Sequence, residues 1–100
     1  MVDREFIRGF TKLYALWRGS QKDAYGMAIL NEMRDAGFEL SPGTVYPTLA
    51  KLKREGDITW QRRVIAGRIR KTYRLTPKGR KELEEVKQRL RALVRVVFRD

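Results

Sequence analysis

Apolar residues return every three or four positions at the start of the chain, at Phe6, Ile7, Phe10, Leu13, Tyr14 and Trp17. This spacing predicts an amphipathic helix of about four turns that Gly19 ends. A second helix carries Tyr25, Met27, Ile29, Leu30 and Met33, with Ser20 or Asp23 as its cap. Gly37 then supplies the left-handed residue that closes it without a Cβ penalty. Ser41-Pro42 opens a third helix, in which serine offers an oxygen to the free amides and proline at the first position loses no hydrogen bond. Its core face is Val45, Leu49 and Leu52, and Gly56 ends it. Pro47 disturbs this pattern, because inside the helix it leaves the Gly43 carbonyl without an amide partner. Either a bent first turn or a later start near Thr44 would accommodate it.

The period then changes. Ile58–Val64 and Ile69–Leu75 are rich in β-branched and aromatic residues and read as two strands around an Ala66-Gly67 turn. Thr76-Pro77 repeats the cap-plus-proline start, and a long helix follows to about Phe98. Its apolar positions Leu83, Val86, Leu90, Leu93 and Val97 are spaced 3, 4, 3 and 4, a seam of about two heptads. The fold class is therefore mainly α with a β-hairpin, ordered helix, helix, helix, hairpin, helix. One hundred residues make one small compact domain. Within it, residues 1–76 form the helices and hairpin, and residues 77–100 form the last helix.

Charge sharpens this picture. Residues 1–50 carry six basic and six acidic side chains, whereas residues 51–100 carry seventeen and six, so the whole excess of +11 lies in the second half. From Lys51 to Lys81 twelve Lys/Arg stand against Glu55 and Asp57 alone. Such a concentration points to a polyanionic partner. The sequence has no cysteine and no histidine. That removes thiolate and imidazole chemistry and the preferred ligands of zinc, iron and copper, so neither an enzyme nor a metal or other cofactor is expected. No apolar run approaches the roughly 20 residues of a membrane span, and the acidic start MVDREFIRGF is unlike a secretion signal. A cytoplasmic protein is expected.

Three helices followed by a hairpin is the order of a winged helix-turn-helix, whose third helix enters the DNA major groove and whose wing reaches the backbone or minor groove. The resemblance narrows further. Tyr25-Gly26, the string SPGTVYP at residues 41–47 with Leu49, Gly56, and Tyr73-Arg74-Leu75-Thr76-Pro77 with Gly79 resemble the PadR family of transcriptional regulators. The likeness runs from about Leu13 to Leu83, and the single helix after the wing is similar to the family's short subgroup. It departs at Ala28, where many relatives carry an acid, and at the apolar wing tip Val64-Ile65-Ala66-Gly67. What it implies is a sequence-specific regulator of double-stranded DNA, a homodimeric repressor relieved by an apolar or aromatic small molecule. A non-specific nucleic-acid-binding or architectural protein is the alternative.

Helical geometry places Gly43, Thr44, Pro47, Lys51 and Arg54 opposite the core face of the third helix, with Tyr46 at the margin. Expected DNA contacts are Tyr25, Ser41, Gly43, Thr44, Tyr46, Thr48 and Lys51, joined by Arg62, Arg63, Arg68, Arg70 and Lys71 of the wing. The first group includes candidates for base edges, and the second neutralises phosphates. Trp60 reads as core packing in preference to a stacking platform. The last helix has three readings: pairing with a second subunit, packing within one chain, or lying on a membrane. Surplus apolar surface on the first helix favours pairing over a membrane, with Phe6, Phe10, Leu13, Trp17, Leu83, Val86, Leu90, Leu93 and Val97 at the dimer interface. Phe10, Tyr14, Trp17, Val94 and Phe98 either line an effector pocket there or simply pack.

Overall fold

A computed structural model describes residues 2–99. Its elements run α1 (Arg4–Gly19), α2 (Gly26–Asp35), α3 (Pro42–Arg54), β1 (Ile58–Ile65), β2 (Arg68–Leu75) and α4 (Pro77–Val97). This is a mainly helical chain with one antiparallel hairpin, a winged helix-turn-helix extended by a C-terminal helix.

The start of α2 differs from expectation. Ser20 closes α1 instead of capping α2, its hydroxyl donating to the Trp17 carbonyl at 2.5 Å. Asp23 sits in the left-handed region, at φ 57°. Tyr25, with no side-chain cap bond, is the residue that precedes the helix. The cause lies elsewhere in the chain. The Tyr73 amide donates to the Ala24 carbonyl at 2.9 Å, so residue 24 is held as a short bridge against β2 and helix cannot begin before it.

Helix α3 begins at Pro42, so the later start near Thr44 is not taken. The Ser41 carbonyl accepts from the amides of Thr44 (3.0 Å) and Val45 (3.3 Å), but the serine side chain makes no cap bond. Pro47 lies within the helix, opposite the buried Val45, Leu49 and Leu52. Gly43, whose carbonyl loses its helical partner, is exposed, where water can supply the missing bond. Gly37 and Gly56, at φ 95° and 80°, both close their helices. After each, the next amide reaches back to the last turn, Phe38 to Met33 at 3.0 Å and Asp57 to Leu52 at 2.9 Å.

In the hairpin Ile58 pairs with Leu75 and Ile65 with Arg68. The two loop residues, Ala66 and Gly67, take φ of 51° and 77°, the pairing that matches the twist of a two-residue turn. The hairpin base enters the core with Ile58, Tyr73 and Leu75, against Ala15 and Leu16 of α1, Ile29 and Leu30 of α2, and Val45, Leu49 and Leu52 of α3. Tyr73 is the centre of this packing. Its buried hydroxyl donates to the Ala15 carbonyl at 2.7 Å, and burial raises its pKa. Trp60 meets Tyr73 edge-on at 5.6 Å, which places it in packing.

Polar ties fix the helices to one another. Glu32 of α2 accepts from the Tyr14 hydroxyl at 2.5 Å and from Arg18 Nε at 3.0 Å. Burial and then this carboxylate push Tyr14 up to about 12. At the other end of the chain, Thr76 caps α4 by accepting from the Gly79 amide at 3.1 Å. Only the first turns of α4 meet the body, through buried Gly79 and Leu83. From Gln88 to Arg99 every residue is exposed.

Candidate nucleic-acid interface

The outward side of α3 is open. Gly43, Tyr46, Pro47, Lys51 and Arg54 are exposed, and Thr44 and Thr48 are half-buried beside them. The Thr48 hydroxyl donates to the Thr44 carbonyl at 2.8 Å, so its proton is used within the helix and only its lone pairs face outward. The Ser41 hydroxyl, freed from capping, is exposed at the head of the same side. Tyr46 stands on Gly26, where an added Cβ would lie 2.5 Å from its ring. The Tyr-Gly pair at the start of α2 is thus a seat for α3, which needs glycine for this close approach.

Grooves flank α3 on both sides. On the wing side, a groove of about 400 Å³ is lined by Tyr25, Tyr46 and Trp60 together with Lys53, Arg54, Arg70 and Lys71. On the other side, a wider groove of about 760 Å³ separates α3 from α1 and carries Arg4, Arg8, Lys12 and Lys51. The three cations of α1 are not conspicuous in the sequence, although their i, i+4, i+8 spacing puts them on one helical face. The zero net charge of residues 1–50 hides them.

The wing cations are not equivalent. Arg63 lies 2.9 Å from Asp23 in an ion pair. The Arg70 guanidinium covers the Tyr25 ring at 4.9 Å, and the Lys71 ammonium covers Trp60 at 4.5 Å. Arg62 and Arg68 stand free near the tip among the described residues. Between them the cross-strand pair Val64 and Ile69 is strongly exposed, an apolar tip between charged flanks.

The wing and the exposed side of α3 thus form one face set in positive charge. Residues 13–85 match the family model of the transcriptional regulator PadR-like family. The chain belongs to the PadR-like family. Its regulators bind DNA and are not enzymes, and this chain is accordingly a DNA-binding transcriptional regulator. Transcriptional regulator Rv3488 of Mycobacterium tuberculosis is 38% identical over 95 residues, covering 95% of this chain and 89% of that protein. A PadR-like transcriptional regulator from Bacillus cereus has a similar crystal structure, with a TM-score of 0.83 at 29% identity over 93% of this chain and 92% of that one. A transcriptional regulator from Streptococcus gives 0.82 at 28% identity over 95% of each chain. The family strings at Tyr25-Gly26 and Thr76–Gly79 turn out to be joints of the fold, whereas SPGTVYP forms the exposed head of α3.

A second surface lies away from the wing. Phe6, Phe10 and Trp17 of α1, Leu90, Leu93, Val94 and Val97 of α4 and Phe98 just after it are exposed, while Leu13 and Val86 are half-buried. Leu83, expected at an interface between subunits, is only 4% exposed and belongs to the chain's own core. An apolar cleft of about 520 Å³ opens between α1, α2 and α4, lined by Phe10, Tyr14, Trp17, Met33, Phe38 and Leu90 among others. Val94 and Phe98, expected to share a pocket with the first three, do not line it. Among the described residues, no helix is long and apolar enough to cross a membrane.

Proposed function

We propose that this regulator is a sequence-specific homodimeric repressor of double-stranded DNA. The observation that carries this reading is the exposed side of α3, set between two cationic grooves and beside the wing. Gly43, Thr44, Pro47 and Lys51 meet base edges. Ser41 and Tyr25 at the helix heads and Tyr46 and Thr48 within α3 support them, with Thr48 accepting and not donating. Arg62, Arg68 and Lys71 neutralise phosphates at the wing. Arg70 contributes through its edge over Tyr25, and Arg63 contributes least because Asp23 already answers its charge.

Dimerisation runs through the exposed apolar faces of α1 and α4. A helix whose second half is exposed along its length gains little order from its own chain, and a partner covering it would supply the rest. Two-fold pairing presents two copies of α3 to half-sites about one helical turn apart. The apolar cleft beside Phe10, Tyr14 and Trp17 receives an apolar or aromatic effector that relieves repression. Both assignments are supported by surplus apolar surface that the protomer leaves uncovered.

The test is selection of bound sequences from a random DNA pool, followed by gel-shift competition at about 150 mM salt. A specific regulator yields a two-fold symmetric site and prefers it to unrelated duplex by roughly 10³-fold or more. Equal affinity for all duplexes would instead identify an architectural protein.

A further inference from the structure

The basic ridge of α1 works against its own helix. Arg4, Arg8 and Lys12 stand in one row, and none has an acidic partner among the described residues. Like charges at four-residue spacing repel. Arg4 also sits in the first turn of α1, the end at which the helix dipole favours anions and not cations. Gly9 lies among them on the groove wall, inside the helix, with nothing within 4 Å of the place where its Cβ would be. A glycine there weakens the helix and serves no contact within the protomer. Each feature becomes favourable once an anionic chain lies along the groove.

Resting on the DNA-binding reading of α3, we infer that the α1 ridge is a second phosphate clamp, so that the recognition helix is gripped from both sides. A helix about 10–12 Å across fills a major groove about 12 Å wide. The two sugar-phosphate backbones then run along its two flanks. One meets Lys53, Arg54, Arg70, Lys71 and the wing; the other meets Arg4, Arg8 and Lys12, approaching closely over Gly9. These interactions are with phosphate and carry no sequence information, so they set register and depth of docking.

The experiment compares the wild-type protein with Arg8→Gln/Lys12→Gln and, separately, Arg68→Gln. Affinity is measured against salt on the site recovered by selection and on an unrelated duplex of about 30 base pairs. For the α1 variant, the slope of log affinity on log salt falls by about 0.9 for each phosphate no longer neutralised, and affinity near 0.15 M drops roughly tenfold or more on both duplexes. Its thermal midpoint stays level or rises, because repulsion has been removed from the helix, and this separates loss of a clamp from loss of fold. An unchanged slope in the α1 variant, beside a reduced one in Arg68→Gln, overturns the clamp and leaves the DNA reading intact. Loss confined to the selected site would make the ridge a base reader and overturn its assignment to phosphate. A wild-type protein that binds neither duplex fails the DNA reading itself, and the clamp with it.

Discussion

Gly79 has no room for a side chain: a Cβ there would collide with the Asp57 carbonyl, a backbone atom that cannot swing aside. The surrounding residues explain why the approach is so close. The Thr76 hydroxyl donates to the Gly56 carbonyl at 2.6 Å, the Thr76 amide to Asp57 at 3.0 Å, and Lys78 Nζ to the Glu55 carbonyl at 2.5 Å. Together the TPKG string bolts the start of α4 onto the turn that ends α3. Gly79→Ala is therefore expected to destabilise the protein by about 1–3 kcal/mol, as other overpacked sites do. In thermal unfolding each kcal/mol of that loss lowers the midpoint by about 4–8 °C for a domain of this size. Gly9→Ala is the contrast, since its Cβ would meet open space. It is expected to stabilise by about 0.5–1 kcal/mol. Opposite signs at two helical glycines are the outcome to look for; a neutral Gly79→Ala would mean that α4 is free to slide.

Besides the hairpin base, the wing is tied to the body by the Ala24–Tyr73 bridge, the Asp23–Arg63 pair and the Arg70 guanidinium over Tyr25. Asp23 Oδ1 is buried, and the Arg63 guanidinium at 2.9 Å is the charge that answers it. Asp23→Asn removes that charge and frees the guanidinium while giving up a half-exposed pair, a loss of about 0–1 kcal/mol. The expected result is tighter binding to unrelated duplex and a salt slope steeper by up to about 0.9 per protomer. If non-specific affinity were unchanged or lower, Arg63 would not lie within reach of DNA. This pair also shows where the sequence is legible and where it is not. Helix ends at Gly37 and Gly56, the Ala66-Gly67 turn and the Thr76-Pro77 cap are local chemistry, readable from neighbours along the chain. The start of α2 is not local, because a backbone bond from residue 73 decides it. Ion pairs such as Asp23–Arg63 and Arg18–Glu32 join residues from different elements and leave no periodic trace. Of the proposed interface, the third helix and wing are legible from charge and spacing. The α1 ridge is equally periodic but is hidden by the acids that share its half of the chain.

At the scale of the whole molecule, the chain is elongated, 48 × 31 × 23 Å, and the second half of its last helix is exposed. Leu93 and Val97 are 60% and 64% exposed on this half. Within one protomer they are ordinary surface positions, at which a substitution changes stability by about 0.5 kcal/mol or less. Across a two-fold interface, glutamates at the same places would be buried without partners, which is strongly unfavourable. Leu93→Glu/Val97→Glu is therefore expected to sediment as a monomer while keeping its helical circular dichroism. DNA binding then separates two arrangements. If each recognition helix is joined to its mate through α4, splitting the dimer removes the effective concentration that links the half-sites, and affinity for the full site falls by about 10²–10⁴-fold. Affinity for a single half-site, which needs only one α3, one wing and one α1, should remain. A variant that stayed dimeric would move the interface off α4 and leave α1 to form it alone. A variant that became monomeric yet held the full site as tightly as before would show that the two halves of the site are read independently.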